Sequence, residues 1–341
     1  MRRCTTLLFA CLIATAVTTA FAHEDDDADR HGSDKTSHAT IKTSGDKRII
    51  DANGLPDHKP GQFPNRGNPN SISAQKYHFE MPLKPKASDE PRPIDRYIFG
   101  VAVNGVVFDP GTAEVWRPGD PIVSRPGPNT RRGPGDERDR IWNYDGMGKM
   151  NLGIDANHAH VQPTGAYHYH GLPTGLISRL RTEKGPAGKD MLLIGYAADG
   201  FPIYAEYGYE KADDGSSPIK KLKSSYHLKK GNRPKGDDGP GGKYDGTFVQ
   251  DYEFTKGSGD LDECNGRKGV TPEFADGTYY YVVGDAFPFV PRFFRGTPDS
   301  SFEKHLGPPP GGPDGPGGSP PGRRGRRGPP PGAGDGPPPR E

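Results

Sequence analysis

The sequence predicts a mainly β protein, a sandwich or barrel-like single domain held between two disordered tails. Three observations lead there. The 341 residues include 49 Gly and 38 Pro, the two poorest helix formers. Short runs with alternating apolar positions are separated by turn dipeptides, and no window sustains a helical period. Hydrophobic residues make up 31% of the chain, against a usual ~45–50%, which reads as a β core diluted by polar ends.

The start of the chain reads as a signal peptide over residues 1–22. Arg2 and Arg3 form a basic n-region, Leu7 to Val17 an apolar h-region, and Ala20-Phe21-Ala22 a small-x-small cleavage site. The mature chain would begin at His23 and be secreted or periplasmic, with no membrane insertion after cleavage. A lipobox ending at Cys11 is the weaker alternative, because the apolar stretch before it is short. Residues 23–45 read as an acidic, His-containing disordered leader, with Glu24, Asp25, Asp26 and Asp27 among His23, His31 and His38. The last 35 residues hold 12 Gly and 13 Pro and no Leu, Ile, Val, Phe, Tyr or Trp. Residues 307–341 therefore cannot bury enough apolar surface to offset ordering entropy. Their Arg323 to Arg327 run offers a polyanion or matrix contact, or a solvated basic patch.

Between the tails, residues 46–306 carry the β pattern. Tyr77, Phe79, Met81 and Leu83 alternate as one face of a strand. Ile98 to Phe108 is split by Asn104-Gly105, and Leu192 to Ala198 joins Phe201 to Tyr207 through Asp199-Gly200. Both dipeptides predict type I′ hairpins with two positive φ angles. Thr247 to Phe254 and Thr278 to Val283 complete the strands. A weak repeat runs through the core: Gly100 to Phe108 lines up with Gly195 to Ile203, and Gly165 to His170 with Gly277 to Val282. Two related β units and a chance match both account for it. In the repeat, Tyr167 and Tyr169 match Tyr279 and Tyr281, whereas His168 and His170 meet Tyr280 and Val282. The Tyr face is then packing that both copies need, and the His face an addition in one.

The chemistry concentrates between Asn157 and His170, where His158, His160, His168 and His170 form two His-x-His pairs. In a strand, residues i and i+2 share a face ~6.5–7 Å apart, close enough for two imidazoles to lean onto one ion. A three-residue loop at Pro163-Thr164-Gly165 with a G1 bulge closes Gln162 on Ala166, so His160 faces His168 and His158 faces His170. A two-residue loop would split the four His over two faces. The Pro-x-Gly pattern favours the first register. Neutral imidazoles suit a divalent transition metal, zinc or copper foremost. Three ligands and an open position would be catalytic in style, and four closed around zinc structural. Backbone-bonded surface and core His are the alternative.

The same residues carry a resemblance. His160 to Pro173 resembles the signature of the YHYH-domain family. Supporting stretches are Asn53 to His58, Gly61 to Asn65, Asp199 to Tyr204, Leu261 to Gly266 and Phe287 to Arg292. The resemblance implies export and a shared fold but no reaction. It also implies cysteines just before the signature and in an Arg-Cys-Phe near the end of the domain. This chain has Asp155-Ala156-Asn157 and Arg292-Phe293-Phe294 there, so Cys264 has no such disulfide partner. After signal cleavage Cys264 is the only cysteine, and burial is its expected state.

His58, in a Pro/Asn/Gly-rich loop, is a second-tier metal ligand. The acidic loop Asp260, Asp262, Glu263 resembles a calcium loop, but its Gly266 falls one position late for an EF-hand; a solvated loop is the simpler reading. No nucleophilic triad, phosphate loop or nucleic-acid stacking platform is present. Three functions compete: an exported metal-binding or storage protein; a metal-dependent enzyme at the same site, either a zinc hydrolase with His58 or Glu263 as proton carrier or a copper oxidoreductase; and a surface or matrix interaction module without metal.

Overall fold

The computed structural model describes residues 36–126, 142–184 and 190–304. The stretches read as a signal peptide (1–22), as the first part of a leader (23–35) and as a C-terminal tail (307–341) lie outside the described residues. The strands are β1 (Ala39–Ser44), β2 (Lys47–Ala52), β3 (Tyr77–Pro82), β4 (Arg92–Pro93), β5 (Gly100–Ala102), β6 (Val107–Phe108), β7 (Val115–Trp116), β8 (Trp142–Asn143), β9 (Ala159–Val161) and β10 (Tyr167–Tyr169). After helix α1 (Thr174–Lys184) follow β11 (Leu193–Ala197), β12 (Pro202–Tyr204), β13 (Tyr207–Tyr209), β14 (Ile219–Lys221), β15 (Tyr226–Leu228), β16 (Tyr252–Phe254), β17 (Gly266–Thr271), β18 (Phe274–Val282) and β19 (Phe293–Phe294).

The protein is mainly β, as its turn chemistry predicts. Eight strands form one mixed sheet in the order β17-β18-β12-β11-β5-β6-β10-β9, with open edges, so the barrel alternative is excluded. A three-stranded antiparallel sheet, β1-β2-β3, shares its core: Ile50, Phe79 and Met81 pack in one cluster with Val101, Phe108 and Tyr281. Strand β1 falls inside the stretch that the sequence reads as a disordered leader, because pairing with β2 orders residues 39–44. Gly45, with φ 59°, takes the first central position of a tight turn that closes Ser44 on Lys47 and zips β1 onto β2.

The large sheet is two copies of one four-stranded unit. At its centre β5 and β11 pair antiparallel, with Val101 opposite Tyr196 and symmetric pairs on either side. Gly100 pairs with Phe108 as Gly195 pairs with Ile203. Phe108 lies parallel to Tyr169 as Ile203 lies parallel to Tyr281. Tyr169 faces Ala159 as Tyr281 faces Gly266. The sequence repeat is thus a structural duplication about a pseudo-twofold axis through the sheet.

The loops repeat too. The Asp155 carboxylate accepts from the Tyr167 hydroxyl (2.7 Å) and the Asn157 N–H (2.8 Å). Asp262 accepts from the Tyr279 hydroxyl (2.9 Å) and the Cys264 N–H (3.0 Å). The hairpin turns also agree with one another, though not with the type I′ expectation. Only Gly105 and Gly200 take positive φ, and the loops close Ala102 on Val106 and Ala197 on Phe201. Each is a three-residue loop whose one left-handed position is filled by Gly.

Two further elements depart from the sequence reading. Helix α1 was missed because only Leu176, Ile177 and Leu180 face the core, too few for a sustained period. The strand expected over Thr247 to Phe254 survives only as β16, because residues 246–251 wrap the buried Asp251 carboxylate, which accepts the Gly246 N–H (3.0 Å) and the Phe248 N–H (3.2 Å).

At the core of the second unit, Asp199 is 1% exposed and accepts from the Tyr281 hydroxyl (2.5 Å) and the Gly296 N–H (2.8 Å). Burial pushes its carboxyl up to about 6 against those hydrogen bonds. The folded state thus binds a proton that the unfolded chain, at ~3.9, has released. The stabilisation is present below pH ~4 and lost as pH rises through ~6, about 3 kcal/mol in all. Urea unfolding from pH 4 to pH 7 should show wild type losing this amount relative to Asp199→Asn; a pH-independent difference between the two would contradict it.

Candidate metal centre

The Pro163-Thr164-Gly165 loop sets the register of the His hairpin. Gly165 has φ 85°, the Gln162 N–H donates to the Ala166 carbonyl (2.9 Å), and His160 stands opposite His168. The His170 N–H donates to the His158 carbonyl (2.7 Å). This is the three-residue register read from the sequence.

Three of the four imidazoles converge. His168 Nε2 lies 2.9 Å from His170 Nε2, which lies 3.1 Å from His160 Nε2. His160, His168 and His170 each offer a ligand atom, all within 4.8 Å of one another. The fourth, His158, is not brought in. It holds φ 54°, matching Asn265 at φ 53° in the second unit, and its ring turns to the Leu172 carbonyl (2.8 Å). A left-handed residue breaks strand alternation, so the i, i+2 rule cannot apply to it.

The outer nitrogens fix the tautomers. His160 Nδ1 faces the Leu152 carbonyl (2.9 Å) and His168 Nδ1 the Ala166 carbonyl (3.2 Å). A carbonyl only accepts, so both Nδ1 atoms carry the proton and both Nε2 atoms present bare lone pairs. One proton on His170 Nε2 can satisfy one of them. A cation at the centre satisfies all three, and imidazoles oriented through Nδ1–H are the usual form of metal-ligating His.

His168 and His170 are each 1% exposed. Burial, and then the charge on neighbouring imidazoles, drives His168 down to about 3 and His170 well below the ordinary range; burial also lowers His160. The three rings are neutral at physiological pH, the form that binds metal. Among the described residues His170 has no partner at Nδ1, and its ring lies against bare backbone: a Cβ on Gly146 would stand 2.3 Å from that atom.

The remaining candidates lie elsewhere. His58 is on the opposite, Tyr face, with Nε2 2.7 Å from the Tyr169 hydroxyl, which also accepts from Asn104 (3.1 Å). The acidic loop is held in ion pairs rather than simply solvated. Asp260 pairs with Lys220 (2.7 Å), and Asp262 and Glu263 pair with Arg295 (2.7 Å each). That also removes Glu263 from the His cluster. Cys264 is fully buried and free, its thiol pushed up to about 12 by burial.

Asp109, missed in the sequence, is 2% exposed and stands beside the cluster in β6's extension. It accepts from Lys304 (2.7 Å) and Gln162 (3.2 Å). No local signal marks it, since its neighbour in the sheet, β10, is distant in sequence.

Among the described residues no helix is long and apolar enough to cross a membrane. No curated protein and no solved structure matches the chain. The YHYH protein family model matches residues 78–296, from β3 to the segment after β19 and across the whole eight-stranded sheet. With that match over more than half its length, and with Tyr167-His168-Tyr169-His170 at the centre of its His hairpin, the chain belongs to the YHYH protein family.

Proposed function

We propose that this YHYH protein is exported and binds one divalent transition metal, zinc or copper, through Nε2 of His160, His168 and His170. The carrying observation is the duplication, which serves as an internal control. The second unit places Arg267, Tyr280 and Val282 where the first has His160, His168 and His170. Tyr280 and Val282 there pack with Tyr204, Leu222 and Leu261. The same sheet therefore folds without imidazoles, and the three His answer to something other than folding. Export is supported by the signal-type segment of residues 1–22, and N-terminal sequencing of the processed chain should read from His23.

Metal analysis of untagged protein, loaded with zinc or copper and desalted, should give about one ion per chain; less than ~0.2 would sink the reading. Gly146→Ala should force the His170 ring from its seat and weaken metal binding about 10–100-fold, as disturbed ligand orientation does elsewhere. Competition against a chromophoric chelator checks this, and unchanged affinity would show that His170 is not seated by Gly146.

The withdrawal of His158 favours a second reading, a metal-dependent enzyme. Three His leave a coordination position for water or substrate, whereas four would have closed the shell. Ester and peptide hydrolysis assays on zinc-loaded protein, and oxidase assays on copper-loaded protein, separate this from simple binding or storage.

A further inference from the structure

We propose that Asp109 is the anionic partner of the metal centre, and that Lys304 latches its carboxylate aside when no metal is bound. This rests on reading His160, His168 and His170 as ligands. A dication held by three neutral imidazoles brings two uncompensated charges into a site whose His168 and His170 are 1% exposed. Buried charge is strongly unfavourable unless paired, so a nearby carboxylate would stabilise the bound ion.

Sheet register identifies it. Phe108 lies level with Tyr169, and the Asp109 N–H donates to the Tyr169 carbonyl (3.1 Å). Asp109 therefore lies level with His170, as Val107 does with His168, and leaves the sheet on the His face. Gln162, two residues from His160 on that face, reaches its Oδ2 at 3.2 Å. The duplication again acts as a control. The position matching Asp109 is Tyr204, level with Val282 and packed edge-to-face against Tyr280. The unit that lacks the imidazoles also lacks the carboxylate.

Other acids fit less well. Asp145 is fully buried but already bound by Arg292 (2.6 Å). Glu114 lies toward His160 but shares no strand register with the cluster. The partner on Asp109, by contrast, is replaceable. Lys304 reaches it from the end of the domain with a side chain 26% exposed, so its ammonium can turn to water when a metal takes its place.

The test is zinc affinity of the full chain by chelator competition, with folding of each variant verified by thermal unfolding in excess chelator. Asp109→Asn should weaken binding about 10–100-fold, whereas Glu114→Gln should change it by less than about threefold. Lys304→Met should tighten binding several-fold, since it removes both the competing latch and a cation near the site. In the Asp109→Asn background the same change should tighten binding less, because only the cation's field is then removed. The proposal is overturned if Asp109→Asn binds as wild type, if Glu114→Gln shows the larger loss, or if Lys304→Met weakens binding. Should Asp109→Asn fail to fold, Asp109→Ser takes its place in both comparisons. Absence of zinc binding by wild type would instead remove the three-His reading beneath it.

Discussion

His168→Ala combined with His170→Ala is expected to abolish transition-metal binding while leaving the β fold in place. Two of three ligands vanish, and His160 is left as a lone ligand, so affinity should fall by at least about 10³-fold. The effect is also visible as stability. A ligand that binds only the folded state stabilises it by about 4 kcal/mol at a thousandfold excess over its dissociation constant. Zinc should raise the thermal midpoint of wild type and leave the double variant unmoved. Without metal the variant loses ring packing, but it also sheds a His170 Nδ1 that is buried without a partner among the described residues. Those terms oppose each other, at about 1–3 kcal/mol each, and the second unit shows that non-His residues suit this sheet position. If zinc still shifted the variant's midpoint as it does wild type, the ion would be binding elsewhere.

The largest purely structural effect is expected at Arg233. Its side chain is 3% exposed and grips the fully buried Asp251 through Nε and Nη2 at 2.6 Å each, with Asp245 bound as well. Its guanidinium also lies over Phe248, 5.0 Å from the ring centre. Arg233→Met should cost about 3–5 kcal/mol, because it leaves the Asp251 charge buried without its cation. Replacing both partners, as Arg233→Met with Asp251→Leu, should cost less than the single change. Urea unfolding measures both, and a single-variant loss under about 1 kcal/mol would contradict the assignment. The knot reaches the candidate metal centre: the Asp145 N–H donates to the Thr247 carbonyl (3.0 Å), tying to it the backbone that seats His170. Zinc affinity of Arg233→Met should fall along with stability.

The hairpin was legible in the sequence because its determinants are local. Pro163 and Gly165 fix the loop type, loop type fixes register, and register places His160 opposite His168. The repeat was legible as a pattern of turn and aromatic residues, but only strand pairing turns it from a coincidence into a duplication. His158 was misplaced because alternation assumes extended backbone, and nothing between Asp155 and His160 announces a left-handed residue. Its counterpart in the second unit, Asn265, is of the type that tolerates that conformation; a comparison of the two repeats could have flagged the position. Helix α1 and strand β1 escaped because each shows the core only a few residues and takes its stability from tertiary contact.

By itself, then, the sequence determined the β class, the family resemblance, the hairpin register and two of the converging imidazoles on each other's level, all consequences of steric rules acting over a few residues. The tertiary structure decided the rest. It removed His158 and His58 from the site and seated His170 on Gly146. It also brought Asp109 and Lys304 beside the imidazoles from segments far away in the chain. Those outcomes depend on which strands become neighbours in the sheet, and parallel pairing such as that of β6 with β10 joins segments whose separation no local pattern encodes.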